Sequence, residues 1–100
     1  MNSIDTKSLA ELDGATVIDV RETYEYVGGH APAARSIPLS ELVARVTEIP
    51  RDVPVYVICE SGGRSAQATE WLVAQGVDAV NVLGGTAAWR SSGLPVAVGA

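Results

Sequence analysis

The run Val55-Tyr56-Val57-Ile58-Cys59-Glu60-Ser61-Gly62-Gly63-Arg64-Ser65-Ala66-Gln67-Ala68 decides the fold. Its first four residues are apolar on both faces, as in a strand of a parallel sheet covered by helices on both sides. A glycine-containing loop follows. From Ser65 the pattern is helical, carries Trp71, Leu72 and Val73, and meets Gly76 at a position suited to C′. Outward from this run the alternation repeats. Thr16-Val17-Ile18-Asp19-Val20 reads as a strand, and Glu22 to Val27 as a short helix stopped by Gly28-Gly29. Ser40 is a suitable N-cap for a helix over Glu41 to Val46, with Pro50 soon after. Ala79-Val80-Asn81-Val82-Leu83 is the next strand, followed by Gly84-Gly85 and a short helix carrying Trp89. Alternating strands and helices predict an α/β fold with a mainly parallel sheet of about five strands and helices on both faces. Residues 1–100 are expected to form a single domain, without repeats or linkers.

Composition narrows the function. With 12 acidic against 7 basic residues the net charge is −5, and only one basic residue is a lysine. Nucleic-acid binding needs clustered Lys and Arg, so no nucleic-acid partner is expected. No apolar run approaches the ~20 residues of a membrane span, so no membrane partner is expected either. One cysteine cannot make an internal disulfide, and the first residues have neither the basic end nor the apolar stretch of a signal peptide. A reducing cytoplasm is the expected location.

Cys59 stands where the strand gives way to the loop. A thiol there faces unpaired backbone N–H groups and the positive end of a helix dipole, which both favour thiolate. Arg64 adds a permanent cation. In parallel sheets ligands collect at the carboxyl ends of strands, so Asp19, Cys59 and Gly84-Gly85 are expected to share one rim. The N–H groups of Glu60, Ser61, Gly62, Gly63, Arg64 and Ser65 are expected to curl into a nest for an anion or a charged sulfur, with Gly62 and Gly63 supplying unusual backbone angles. Glu60 is out of character in such a loop, because it places an anion beside the thiol.

Five segments together resemble the rhodanese-like sulfurtransferases in their small single-domain form. They are Val17-Ile18-Asp19-Val20-Arg21-Glu22 with Tyr24-Glu25-Tyr26, Gly29-His30-Ala31-Pro32-Ala33-Ala34 with Ile37-Pro38-Leu39, and Cys59 to Ala66. The series continues with Val82-Leu83-Gly84-Gly85-Thr86-Ala87-Ala88-Trp89 and closes on Gly93-Leu94-Pro95. The resemblance implies that Cys59 takes sulfane sulfur from a small anionic donor such as thiosulfate, becomes a persulfide, and passes the sulfur to cyanide or a thiol. It implies no metal and no cofactor, and allows a sulfur-relay protein as partner. Backbone N–H groups of the loop would stabilise the persulfide, and Arg64 would bind the sulfonate end of thiosulfate or brace the loop. Ala33 stands where the family commonly has glycine, a site of strain if that turn needs positive φ.

Two other functions compete. Cysteine-dependent phosphatases and arsenate reductases also set a cysteine and an arginine around an anion loop, but the phosphatase loop is one residue longer than the four-residue Glu60–Gly63 spacing here. A non-catalytic module for regulation or docking is the third reading, and the presence of Cys59 argues against it. His30 reads as structural rather than as a base. Asp19 and Arg21 read as an ion pair bracing the rim, Trp71 and Trp89 as packing, and Gly84 and Gly85 as a close backbone passage beside the active loop.

Overall fold

The computed structural model describes residues 1–100. In chain order the elements are β1 (Asn2–Ile4), α1 (Thr6–Ala10), β2 (Thr16–Asp19), α2 (Thr23–Val27), β3 (Ala34–Ser36), β4 (Val55–Ile58), α3 (Gly63–Ala74), β5 (Ala79–Val82) and α4 (Gly85–Ser91), with two 3-10 turns at Leu39–Glu41 and Val46–Glu48. The five strands form one sheet in the order β1-β5-β4-β2-β3, and every pairing is parallel. β4 is central and reads as the sequence predicts, with Val55, Val57 and Ile58 fully buried.

The period of two along each strand sorts the core into two layers. Val55, Val57 and Cys59 point to one face, where Ile18, Leu42, Ala68, Leu72 and Val77 join them from β2, the segment before β4, α3 and the turn after α3. Val17 and Ile58 point to the other, against Leu9 of α1 and Trp89 of α4, with Tyr26 of α2 partly buried beside them. Leu72 is wholly inaccessible. Burying a side chain of that size contributes about 1.5–3 kcal/mol, and truncation to alanine would cost about 2–5 kcal/mol.

α3 ends where the sequence indicates. Gly76 adopts φ +87 at C′, its N–H bonds to Val73 O, and the Val77 N–H returns to Leu72 O. This pair of bonds is a Schellman cap, closed by apolar contact between Val77 and Leu72.

Two expectations change, and two strands are added. The helix over Glu41–Val46 with Ser40 as N-cap is absent. Ser40 lies inside the first 3-10 turn, and the segment breaks into two short turns. Burial of Leu42 and Ile49 sets the path of this segment instead. β1 and β3 have three residues each, too few to show a periodicity, and become strands through pairing with β5 and β2. Ala33 carries no strain, because no residue other than glycine has positive φ.

β2 leads through α2 to β3 on one side, whereas β4 leads through α3 to β5 on the other. The chain directions therefore diverge between β2 and β4, the place in such sheets where ligands bind at the carboxyl ends of the strands. Asp19 ends β2 and Cys59 follows β4 at this rim.

Candidate active site

Cys59 follows β4 directly and is 1% exposed. Its sulfur accepts a hydrogen bond from the Gly62 N–H at 3.1 Å, and its thiol donates to Ser65 Oγ at 3.3 Å. Gly62 reaches this position with φ +110 as the N-cap of α3, a conformation that side chains resist. Gly63 differs from expectation: it is the first residue of α3 and needs no unusual angle. Burial pushes the Cys59 thiol up, yet the Ser65 hydroxyl and the Ser65, Gly62 and Ser61 amides together hold it below its ordinary value. The N-terminus of the twelve-residue α3 adds its dipole in the same sense.

The other side of the loop is gripped by α4. The Thr86 N–H and hydroxyl both donate to Cys59 O, at 2.8 and 3.0 Å, and the Ala87 N–H donates to Glu60 O at 2.9 Å. Such contact requires Gly85. A Cβ there would lie 2.5 Å from Cys59 O and 2.6 Å from Glu60 O, and its φ is +58. Gly84, at φ +77, starts the same turn. The close passage read from this glycine pair is thus present. The Cys59 and Glu60 carbonyls face α4, while the Ser61, Gly62 and Ser65 amides face the sulfur.

Charges are paired around this rim. Asp19 and Arg21 form the expected ion pair, with Arg21 Nη2 2.9 Å from Asp19 Oδ2, and both are buried. Arg21 also donates to Gly29 O at 2.7 Å and to Glu60 Oε1 at 3.1 Å. Arg90 on α4 approaches Glu60 Oε2 at 3.5 Å. The anion beside the thiol is therefore neutralised from two sides. Arg64 makes a two-pronged bond to Glu25 of α2, at 2.7 and 2.9 Å, and so ties α3 to α2. These hydrogen bonds from Arg64, opposed by burial, lower the Glu25 carboxyl to about 2.

His30 is away from this chemistry. Its ring stacks on Tyr26 at a centroid separation of 3.7 Å, and its Nδ1 lies 2.7 Å from Tyr26 O. A carbonyl only accepts, so Nδ1 carries the proton. Trp89 is core, with its indole N–H donating to Pro95 O at 2.6 Å, and Trp71 packs at the edge of the opposite core layer. No group of metal-ligating side chains is present. A cavity of about 260 Å³ lined by Leu9, Val17, Pro32 and Trp89 is largely apolar and contains no residue of the Cys59 loop.

Sequence reasoning assigned no role to four residues that build the site. Glu25 and Thr86 were visible only as parts of motifs, and Arg90 carried no signal. Asn81 did carry a signal, as the one polar side chain in an otherwise apolar strand. It is 4% exposed and accepts from the Ser65 hydroxyl at 2.6 Å.

The family model of the rhodanese-like domain matches residues 5–92. A sulfurtransferase of Allochromatium vinosum is 38% identical over 101 residues, covering 96% of this chain and 94% of the relative. The thiosulfate sulfurtransferase GlpE of Actinobacillus pleuropneumoniae serotype 7 is 35% identical over 89 residues, covering 88% of this chain and 82% of the relative. The crystal structure of a rhodanese-related protein from Thermoplasma volcanium matches with a TM-score of 0.93 at 38% identity, covering 98% of this chain and 99% of that one. With the parallel sheet, the cysteine loop at its carboxyl rim and these relatives all in agreement, the chain belongs to the rhodanese-like domain family.

Proposed function

We propose that this protein is a sulfurtransferase that carries sulfane sulfur on Cys59 as a persulfide. The carrying observation is the position of Cys59: a buried sulfur under the Gly62 N–H at the mouth of α3, with the Cys59 and Glu60 carbonyls turned to α4, where Thr86 and Ala87 hold them. The names of the two sulfurtransferase relatives support the same reading.

With thiosulfate as donor, the Cys59 thiolate attacks the outer sulfur. The S–S bond breaks, sulfite leaves with its electron pair, and a Cys59 persulfide anion remains. A nucleophilic acceptor, cyanide or a thiolate, then attacks the terminal sulfur and returns Cys59 as thiolate. Amides already pointed at the sulfur stabilise both anionic states without reorganising. Asp19, Arg21 and Glu60 brace the loop rather than touch the sulfur, and His30 keeps the neighbouring turn in place. No step calls for a cofactor or metal. A protein that accepts the sulfur is a candidate partner, and a reducing compartment such as the cytoplasm would keep the single thiol available.

The phosphatase or arsenate reductase reading is weaker for a specific reason. Arg64, the cation that would have to clamp an oxyanion, has two of its donors committed to Glu25. A purely docking role leaves the amide-lined sulfur without a purpose.

The test is the intact mass after exposure to thiosulfate, with and without a reductant. A gain of one sulfur atom that the reductant reverses is the expected result. An unchanged mass with thiosulfate and with a small-thiol persulfide would refute the proposal.

A further inference from the structure

Cys59, Ser65 and Asn81 form a row of three side chains that solvent does not reach, at 1%, 0% and 4% exposure. The Cys59 thiol donates to Ser65 Oγ, and the Ser65 hydroxyl donates to Asn81 Oδ1. That direction suits only the neutral thiol. A thiolate has no proton to give, so on ionisation the Ser65 oxygen would present a lone pair to a negative sulfur. The remedy is for the hydroxyl proton to turn toward the sulfur. Turning it removes the donor from Asn81 Oδ1 and leaves two oxygens 2.6 Å apart with no proton between them.

Asparagine is the side chain suited to this conflict. Its amide offers an acceptor and a donor in nearly the same shape, exchanged by half a turn about χ2. Aspartate would offer only acceptors once ionised, and leucine would offer neither. Burying an amide in β5, level with Val57 on the neighbouring strand, is costly where an aliphatic residue would pack at no such cost. We infer that Asn81 is a positioning residue whose amide turns over as Cys59 ionises, so that Nδ2–H supports Ser65 Oγ and the Ser65 hydroxyl donates to the sulfur anion.

The thiol proton goes to solvent. The hydroxyl and amide protons only reorient, so Cys59 alone changes charge. A thiol held below its ordinary value, as burial alone would not allow, agrees with a Ser65 hydroxyl that donates to the anion. The charged groups around the row are Arg64 on α3 with Glu25 on α2, the buried Asp19–Arg21 pair beyond β2, and Glu60 with Arg90 on α4. None is a histidine or a second thiol, the side chains that ordinarily titrate near neutrality. The inference rests on Cys59 being the nucleophile, but its test needs no sulfur donor.

The Asn81 side-chain NH2 signals of the full chain, followed by NMR against pH, report the turn directly. They are expected to shift with the same midpoint as iodoacetamide alkylation of Cys59, and to stop shifting in Ser65→Ala although Cys59 still ionises there. A second arm uses Asn81→Asp, whose carboxylate keeps the Ser65 proton. It should raise the alkylation midpoint by about one unit, tenfold in thiolate fraction, and by clearly less in the Ser65→Ala background. Asn81 signals that stay fixed through the Cys59 midpoint would overturn the inference. So would signals that move equally in Ser65→Ala, since a plain field effect of the thiolate does not need the hydroxyl. A failure here leaves sulfur loading, read by mass, untouched.

Discussion

Replacing Gly85 by alanine tests the grip of α4 on the cysteine loop. The added Cβ would lie 2.5 Å from Cys59 O and 2.6 Å from Glu60 C and O, all backbone atoms with no flexible end to swing aside. Ordinary contact begins at 3.4 Å, so α4 and the loop must part by about 0.9 Å. The Thr86 N–H to Cys59 O and Ala87 N–H to Glu60 O bonds, now 2.8 and 2.9 Å, would open past hydrogen-bonding distance. Two lost bonds at about 1 kcal/mol each, with about 1–2 kcal/mol for alanine at φ +58, make about 3–4 kcal/mol. That is a large share of the ~5–15 kcal/mol that holds a domain of this size folded. Urea unfolding followed by the fluorescence of Trp71 and Trp89 measures it. Gly63→Ala is the matched control: its Cβ meets nothing within 4 Å and its φ is ordinary, so it should gain about 0.5–1 kcal/mol from helix propensity. If Gly85→Ala lies within about 1 kcal/mol of wild type and its Cys59 alkylates at an unchanged rate, the contact does not set the loop.

Cys59→Ser should keep the fold, because the hydroxyl fits the same amides, and abolish sulfur transfer from thiosulfate to cyanide; residual turnover near the wild-type rate would exclude a covalent carrier in a chain with one cysteine. Glu25, held at about 2 by Arg64, contributes stability that is present above its unfolded value of 4.5 and is lost as pH falls toward 2. Because Arg64 is 39% exposed, screening reduces that contribution to about 1 kcal/mol. Glu25→Gln should remove that much at pH 7 and flatten the acid limb of the stability curve, and an unchanged curve would show the pair to be idle. Glu60→Gln leaves Arg90 without its partner at the rim. At low salt it should raise kcat/KM for thiosulfate several-fold, about 1 kcal/mol, with the gain fading as ionic strength rises; equal kinetics at low salt would show that this charge does not reach the donor.

The parts of this protein that sequence made legible are those whose signal is local. β4 and the start of α3 announce themselves by an apolar run, a glycine pair and a helical repeat within one stretch. Gly76 marks the end of α3 because a left-handed cap tolerates little else. Cys59 and its loop were readable for the same reason. What escaped depends on residues far apart in the chain. Arg64 meets Glu25 across 39 positions and Ser65 meets Asn81 across 16, and neither pairing has a period to betray it. β1 and β3 are strands because a neighbour completes them, not because three residues insist on it. The segment from Glu41 to Val46 has helical spacing, yet tertiary burial of Leu42 and Ile49 overrode it.

The clamp between two helix starts also bears on safety. A reactive thiol is hazardous if it survives in a loosened or nascent chain, where it would couple to any passing disulfide or electrophile. Here the loop whose amides acidify Cys59 is held from its other side by α4, through the Cys59 and Glu60 carbonyls, and α4 is itself lashed down through Trp89 to Pro95. When that helix lifts away the sulfur becomes an ordinary, sluggish thiol. The reagent is armed by folding and disarmed by unfolding, with no separate inhibitor required.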